Sequence, residues 1–243
     1  MKRAALRYAL GILVAIGALL AVASARTPRL EYVERVTAGA DPSTRLPMIV
    51  AIHGLGDRPD QFAKLFDGYQ RPARIILPRA PLPWQGGFAW FPFRVRDQDE
   101  SQLAAGIEDA ADRVSALIEA LVRERPTLGR PVITGFSQGG MTTFRVAAER
   151  PELIRAALPI GGLLPPALFP TASRATKPRI RGFHGEVDPA VPLAGARQAI
   201  QAFQAAGYSA VLLEYPNTGH FIPPAMRADL MNALAAATAT VAE

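Results

Sequence analysis

Cysteine is absent from the 243 residues. That excludes disulfide support, a thiol nucleophile, thiolate metal ligands and a lipid anchor attached through cysteine. Histidine is scarce: there are three, and no cluster of histidines and acids has metal-ligand spacing. A strong excess of one charge is missing as well. The net charge is +6, and Lys2, Arg3 and Arg7 supply half of it within the first 25 residues, leaving +3 on residues 26–243. So small and scattered an excess argues against nucleic acid as a partner. The leading apolar run, Tyr8–Val22, is 15 residues long, short of the ~20 that a membrane-spanning helix needs.

The order of features in residues 1–25 is that of a secretory signal. Positive charge comes first, then the apolar run, then the small-x-small site Ala23-Ser24-Ala25. The expectation is a cleaved leader and export to the periplasm or medium. A retained N-terminal anchor is the alternative, and it is the only membrane contact expected. Residues 26–243 then form one domain of 218 residues, large enough for a substantial core without disulfides.

Beyond the leader, short apolar runs alternate with helical patterns. Strands are expected at Leu46–His53, Ala73–Leu77, Pro131–Phe136, Ile154–Ile160, Arg179–His184 and Ser209–Tyr215, with an edge strand near Leu30–Thr37. Helices are expected at Pro59–Phe66, Ser101–Arg125, Met141–Glu149, Leu193–Ala206 and Pro224–Ala237. Such alternation implies an α/β fold, a mostly parallel sheet with helices on both faces. Reactive loops then sit at the carboxyl ends of the strands. The aromatic segment Pro78–Gln98 has no clear period and is expected to lie over those ends.

The sequence Gly135-Phe136-Ser137-Gln138-Gly139-Gly140 stands where a strand hands over to a helix. This G-x-S-x-G pattern is a nucleophile elbow: it lifts a hydroxyl from a tight reversal, and the glycines let strand and helix approach. A serine needs a base to take its proton. On such a sheet the chain order is Ser, acid, His, which selects His220 over His53 and His184. The acid candidate is Asp188, with Glu186 and Glu214 as rivals. Oxyanion donors are expected from the backbone N–H of Gln138 and, in the Gly-rich turn His53-Gly54-Leu55-Gly56-Asp57, of Leu55. His53 and His184 read as structural. Leu82, Trp84, Phe88, Trp90, Phe91 and Leu163–Phe169 are candidates for an apolar substrate site, with plain core as the competing reading.

In this order, "HGLGD", "AWF", "GFSQGG", "HGEVDPAVP" and "GH" resemble the phospholipase/carboxylesterase family of α/β-hydrolases, which includes the acyl-protein thioesterases. The resemblance runs from about Leu46 to the C-terminus. It implies an α/β-hydrolase fold and a serine esterase with Ser137, Asp188 and His220 as triad and Leu55 and Gln138 as oxyanion donors. It implies no cofactor, and carboxylic esters, thioesters or lysophospholipids as substrates. Two features depart from the family. Its members are usually cytosolic, whereas this chain carries an export leader. Pro92 follows Trp90-Phe91 where the family typically has an acid. A short-chain carboxylesterase is the leading expectation. Lysophospholipase, thioesterase, polyester hydrolase and peptidase are alternatives, as is a non-catalytic binding module on the same scaffold.

Overall fold

Every residue of Met48–Ile52 is buried, yet the strand serves two different cores. Successive side chains of a strand leave opposite faces. Met48, Val50 and Ile52 join one cluster, whereas Ile49 and Ala51 join another. This strand therefore lies inside a sheet that is covered on both sides.

The computed structural model describes residues 29–239 except Gln98 and Ser173. The expected leader lies outside the described residues. The chain order is β1 (Tyr32–Val36), β2 (Met48–Ile52), α1 (Pro59–Phe62), β3 (Arg74–Pro78), β4 (Leu82–Trp84), β5 (Gly87–Ala89), α2 (Glu100–Glu124), β6 (Val132–Phe136), α3 (Gln138–Glu149), β7 (Ala156–Ile160), β8 (Arg179–Gly185), α4 (Leu193–Ala205), β9 (Ala210–Tyr215) and α5 (Pro224–Thr238). Among the described residues, seven strands form one sheet in the order β1-β3-β2-β6-β7-β8-β9. All neighbours are parallel except β1, which runs antiparallel to β3 at the edge. Apolar residues of α2, α3 and α4 pack on one face, and those of α1 and α5 on the other.

Local chemistry sets the element ends. Helix α2 begins one residue earlier than the apolar period suggests, because the Asp99 carboxylate accepts the N–H groups of Ser101 and Gln102 and caps the first turn. Pro126 follows its last residues and stops it. Helix α3 starts at Gln138, three residues before the expected start, since Ser137 itself is the N-cap position and the two glycines lie inside the helix. The expected helix Pro59–Phe66 is one α-turn followed by a 3-10 turn over Ala63–Phe66. Edge strand β1 is tied inward through Glu34, which pairs with the buried Arg74 and with Arg125.

The segment Pro78–Gln98 holds an unexpected hairpin, β4–β5, with pairs Leu82–Ala89 and Trp84–Gly87. Its turn places Gln85 at φ 43° and Gly86 at φ 84°, the left-handed conformation that two-residue hairpin turns require. A single bridge joins Phe88 to Asp57, so the hairpin leans on the turn that follows β2.

Candidate active site

Strand β6 and helix α3 meet at Ser137, and the meeting is close. A Cβ on Gly139 would lie 2.1 Å from the Ile52 carbonyl oxygen, and one on Gly135 would lie 2.4 Å from that of Gly139. Only glycine permits this approach. Ser137 has φ 57° and ψ −116°, a costly backbone conformation for a residue with a side chain. It is fixed by an N–H bond to the Ile160 carbonyl and by the Met141 N–H on its own carbonyl.

The hydroxyl meets an imidazole. His220 Nε2 lies 2.9 Å from Ser137 Oγ, and His220 Nδ1 lies 2.6 Å from Asp188 Oδ2. These residues come from three separate loops, after β6, β8 and β9. Because the carboxylate can only accept, Nδ1 carries the proton and donates to it. That tautomer leaves Nε2 as acceptor for the Ser137 O–H. The Phe136 ring stacks on the imidazole, with centroids 4.7 Å apart.

Asp188 has a buried carboxylate. Its other oxygen accepts the N–H groups of Ala190 and Val191 at 2.8 and 2.9 Å. Burial pushes the carboxyl up, but the bonds from His220, Val191 and Ala190 outweigh burial and hold it below its ordinary value. It is therefore ionised in the neutral range, as an imidazole partner must be. Its rivals stand elsewhere: Glu214 makes a two-pronged pair with Arg197 at 2.8 and 2.6 Å, and Glu186 is exposed.

The other two histidines hold backbone. His53 is fully buried and His184 nearly so, and burial lowers the affinity of both rings for a proton. The Ala80 N–H donates to His53 Nε2 at 3.2 Å, so Nδ1–H donates to the Gly54 carbonyl at 2.7 Å. His184 Nε2–H donates to the Val191 carbonyl at 2.8 Å.

A cleft of about 550 Å³ opens over Ser137 and His220. Leu55 and Gln138 line it, with Trp84, Phe91, Phe93, Val95 and Met141 as its apolar wall and Arg94 and Arg96 beside them. Gln138 opens α3, so its N–H has no partner within the helix. Among the described residues, no protein acceptor takes the Leu55 N–H. Of the expected substrate-side residues, Trp84 and Phe91 lie on this wall; Phe88 and Trp90 do not. Trp90 is buried in the core, its indole N–H donating to the His53 carbonyl at 2.9 Å. Phe88 packs under the Arg79 guanidinium. Leu82 is exposed, while Leu163 and Leu164 line a separate hollow that shares Arg94 and Val95 with the cleft. Composition favours aromatic walls, but it cannot separate a ring facing solvent from one that anchors a loop.

The sequence reading missed the side chain of Gln138. Its Oε1 accepts the Trp90 N–H at 2.9 Å, and its Nε2–H₂ donates to the carbonyls of Phe91 and Phe93 at 2.9 and 3.0 Å. One buried amide thus satisfies three backbone groups of the aromatic segment. The usable signal was a glutamine beside the elbow serine at a helix start, where an apolar or small residue would bury more cheaply.

The family model for Phospholipase/Carboxylesterase matches residues 32–238. The chain belongs to the phospholipase/carboxylesterase family. Among solved structures, the esterase PE8 is similar at 24% identity and TM-score 0.77, over 86% of this chain and 99% of that one. A Zea mays acyl-protein thioesterase 2 follows at 23% identity and TM-score 0.63, over 85% and 99%. The Bacillus cereus carboxylesterase stands at 16% and 0.64, over 86% and 94%. These likenesses show a shared fold. As a member of the phospholipase/carboxylesterase family, the chain is a hydrolase of carboxylesterase or thioesterase type.

Proposed function

We propose that the protein is an exported serine esterase in which Ser137, His220 and Asp188 act as a catalytic triad. The observation that carries this reading is the unbroken hydrogen-bonded line from Ser137 Oγ through His220 to Asp188, at 2.9 and 2.6 Å. In the reaction, Ser137 Oγ attacks the ester carbonyl while His220 Nε2 takes its proton. Asp188 holds the ring in the accepting tautomer and stabilises the imidazolium. The carbonyl oxygen becomes an oxyanion and receives the N–H groups of Leu55 and Gln138. His220 returns its proton to the departing alcohol, leaving an acyl-serine. A water molecule, deprotonated by His220, then releases the acid and restores Ser137.

The aromatic and aliphatic wall of the cleft supports an apolar acyl group. Export is supported by the charged, apolar and small-residue order of residues 1–25. A second reading, an ester with an anionic headgroup of the lysophospholipid kind, is favoured by the Arg94 and Arg96 side chains on the cleft wall. Thioesters and polyesters would follow the same chemistry.

The test is a p-nitrophenyl ester panel of varied chain length, run on the protein and on Ser137→Ala. Turnover in the variant is expected to fall at least ~10³-fold, leaving what binding and the oxyanion donors supply. Near-normal activity in Ser137→Ala rejects the mechanism. N-terminal sequencing of exported material is expected to begin at Arg26; a start at Met1 favours the anchor.

A further inference from the structure

Trp90 is bonded to both arms of the site. Its backbone N–H donates to Gln138 Oε1 at 2.9 Å, and its indole N–H donates to the His53 carbonyl at 2.9 Å. Gln138 and Leu55 supply the two candidate oxyanion donors, and His53 begins the turn that contains Leu55. The link from His53 to that donor is short. The His53 Nδ1–H bond lands on the Gly54 carbonyl. Gly54 C=O and Leu55 N–H are opposite ends of one planar peptide, so fixing the oxygen aims the N–H. The Trp90 ring also lies against the His53 ring, with centroids 5.6 Å apart.

The hairpin adds a second attachment to the same turn. Gly56 N–H donates to the Phe88 carbonyl at 2.8 Å, and Phe88 N–H donates to the Asp57 carbonyl at 3.0 Å. A Cβ on Gly87 would lie 2.1 Å from the Gly56 oxygen. On the far side, the Gln138 amide also holds the carbonyls of Phe91 and Phe93. Residues 87–93 thus span from one donor to the other.

We infer that Trp90 is a positioning residue that sets the separation of the Leu55 and Gln138 N–H groups, so that both reach one oxyanion. It touches neither substrate nor reacting atoms; it acts through His53 and through the Gln138 side chain. The inference rests on the reading of Leu55 and Gln138 as the donors. Donors of this kind act through fixed placement, so a small shift weakens transition-state binding more than substrate binding. The signature is a fall in kcat with KM held.

Trp90→Phe keeps an aromatic ring and the backbone bond to Gln138, and loses the indole N–H to His53 together with part of the buried ring volume. Gln138→Met keeps the volume and its own backbone N–H, and loses all three side-chain bonds. Each is expected to lower kcat about 10- to 100-fold on a p-nitrophenyl ester, with KM within about twofold. The rate at which a fluorophosphonate labels Ser137 should fall in step, because its tetrahedral adduct uses the same donors. Ile118→Val, in the buried core of α2, serves as the structural control and should lower the thermal midpoint while keeping kcat. The inference is overturned if both folded variants keep kcat, if KM rises alone, or if Ile118→Val loses kcat equally. If the fluorophosphonate labels a residue other than Ser137 in the unaltered protein, the triad reading falls and takes this inference with it.

Discussion

The rings of Phe136 and His220 are stacked, 4.7 Å apart and inclined by 30°. One residue thus precedes the candidate nucleophile in the chain and steadies the candidate base in space. The Asp188 bond fixes one edge of the imidazole, while the Phe136 ring restrains rotation about that bond. Phe136→Ala removes the restraint and keeps all three polar groups. It should lower kcat about 10- to 100-fold with a smaller change in KM, as steady-state kinetics would reveal. Unchanged kcat would show that the Asp188 bond suffices to hold the ring.

Asp188→Asn keeps the size of the side chain and inverts its chemistry. An amide N–H₂ facing Nδ1 favours the tautomer with the proton on Nε2, which cannot accept from Ser137. Turnover should fall about 10³- to 10⁴-fold at neutral pH. Glu214→Gln, which breaks the surface pair with Arg197, should leave turnover unaltered in the same assay.

Stability should depend on pH through His53 and His184. Burial lowers both below the ordinary value of 6.5. The unfolded chain therefore binds protons that the folded chain does not, and stability falls as pH drops below about 6.5. Asp188 acts lower still: its folded value is below 3.8, so its contribution is complete above that pH and is lost as pH falls through the folded value. Thermal melts should show a lower midpoint at pH 5 than at pH 7.5, and His184→Gln should flatten that difference. A midpoint independent of pH across this range would contradict the burial of the two rings.

Arg96 lies on the wall of the cleft and is exposed. If the substrate carries an anion, Arg96→Gln should raise KM for an anionic ester about three- to tenfold, and added salt should shrink the difference. A neutral ester of equal length should be unaffected. Equal behaviour of the two esters would favour the purely apolar substrate.

The sheet was legible because buried parallel strands are short apolar runs, and Ile49–Ile52 and Ile75–Leu77 are unmistakable as such. The candidate site was legible through chain order and strand ends: His53 precedes Ser137, Asp188 stands just after a strand and ahead of His220, and the loops after β6, β8 and β9 bring Ser137, Asp188 and His220 within hydrogen-bond distance. The hairpin was not legible. Pro81, Pro83 and three-residue strands hide a period of two, and the Gln85-Gly86 turn was the only local cue. Nor were the bonds of Trp90 and Gln138, which join side chains to backbone atoms up to 48 residues away. Composition records which residues are aromatic; it does not record whether a ring is bound from behind.

Ser137 adopts a backbone shape that a glycine would accept freely. Replacing it with glycine should therefore relieve the local distortion, offset in part by the added freedom of the unfolded chain. An inert Ser137→Gly protein that melts above the original would mean that this scaffold gives up durability to keep one oxygen raised and ready.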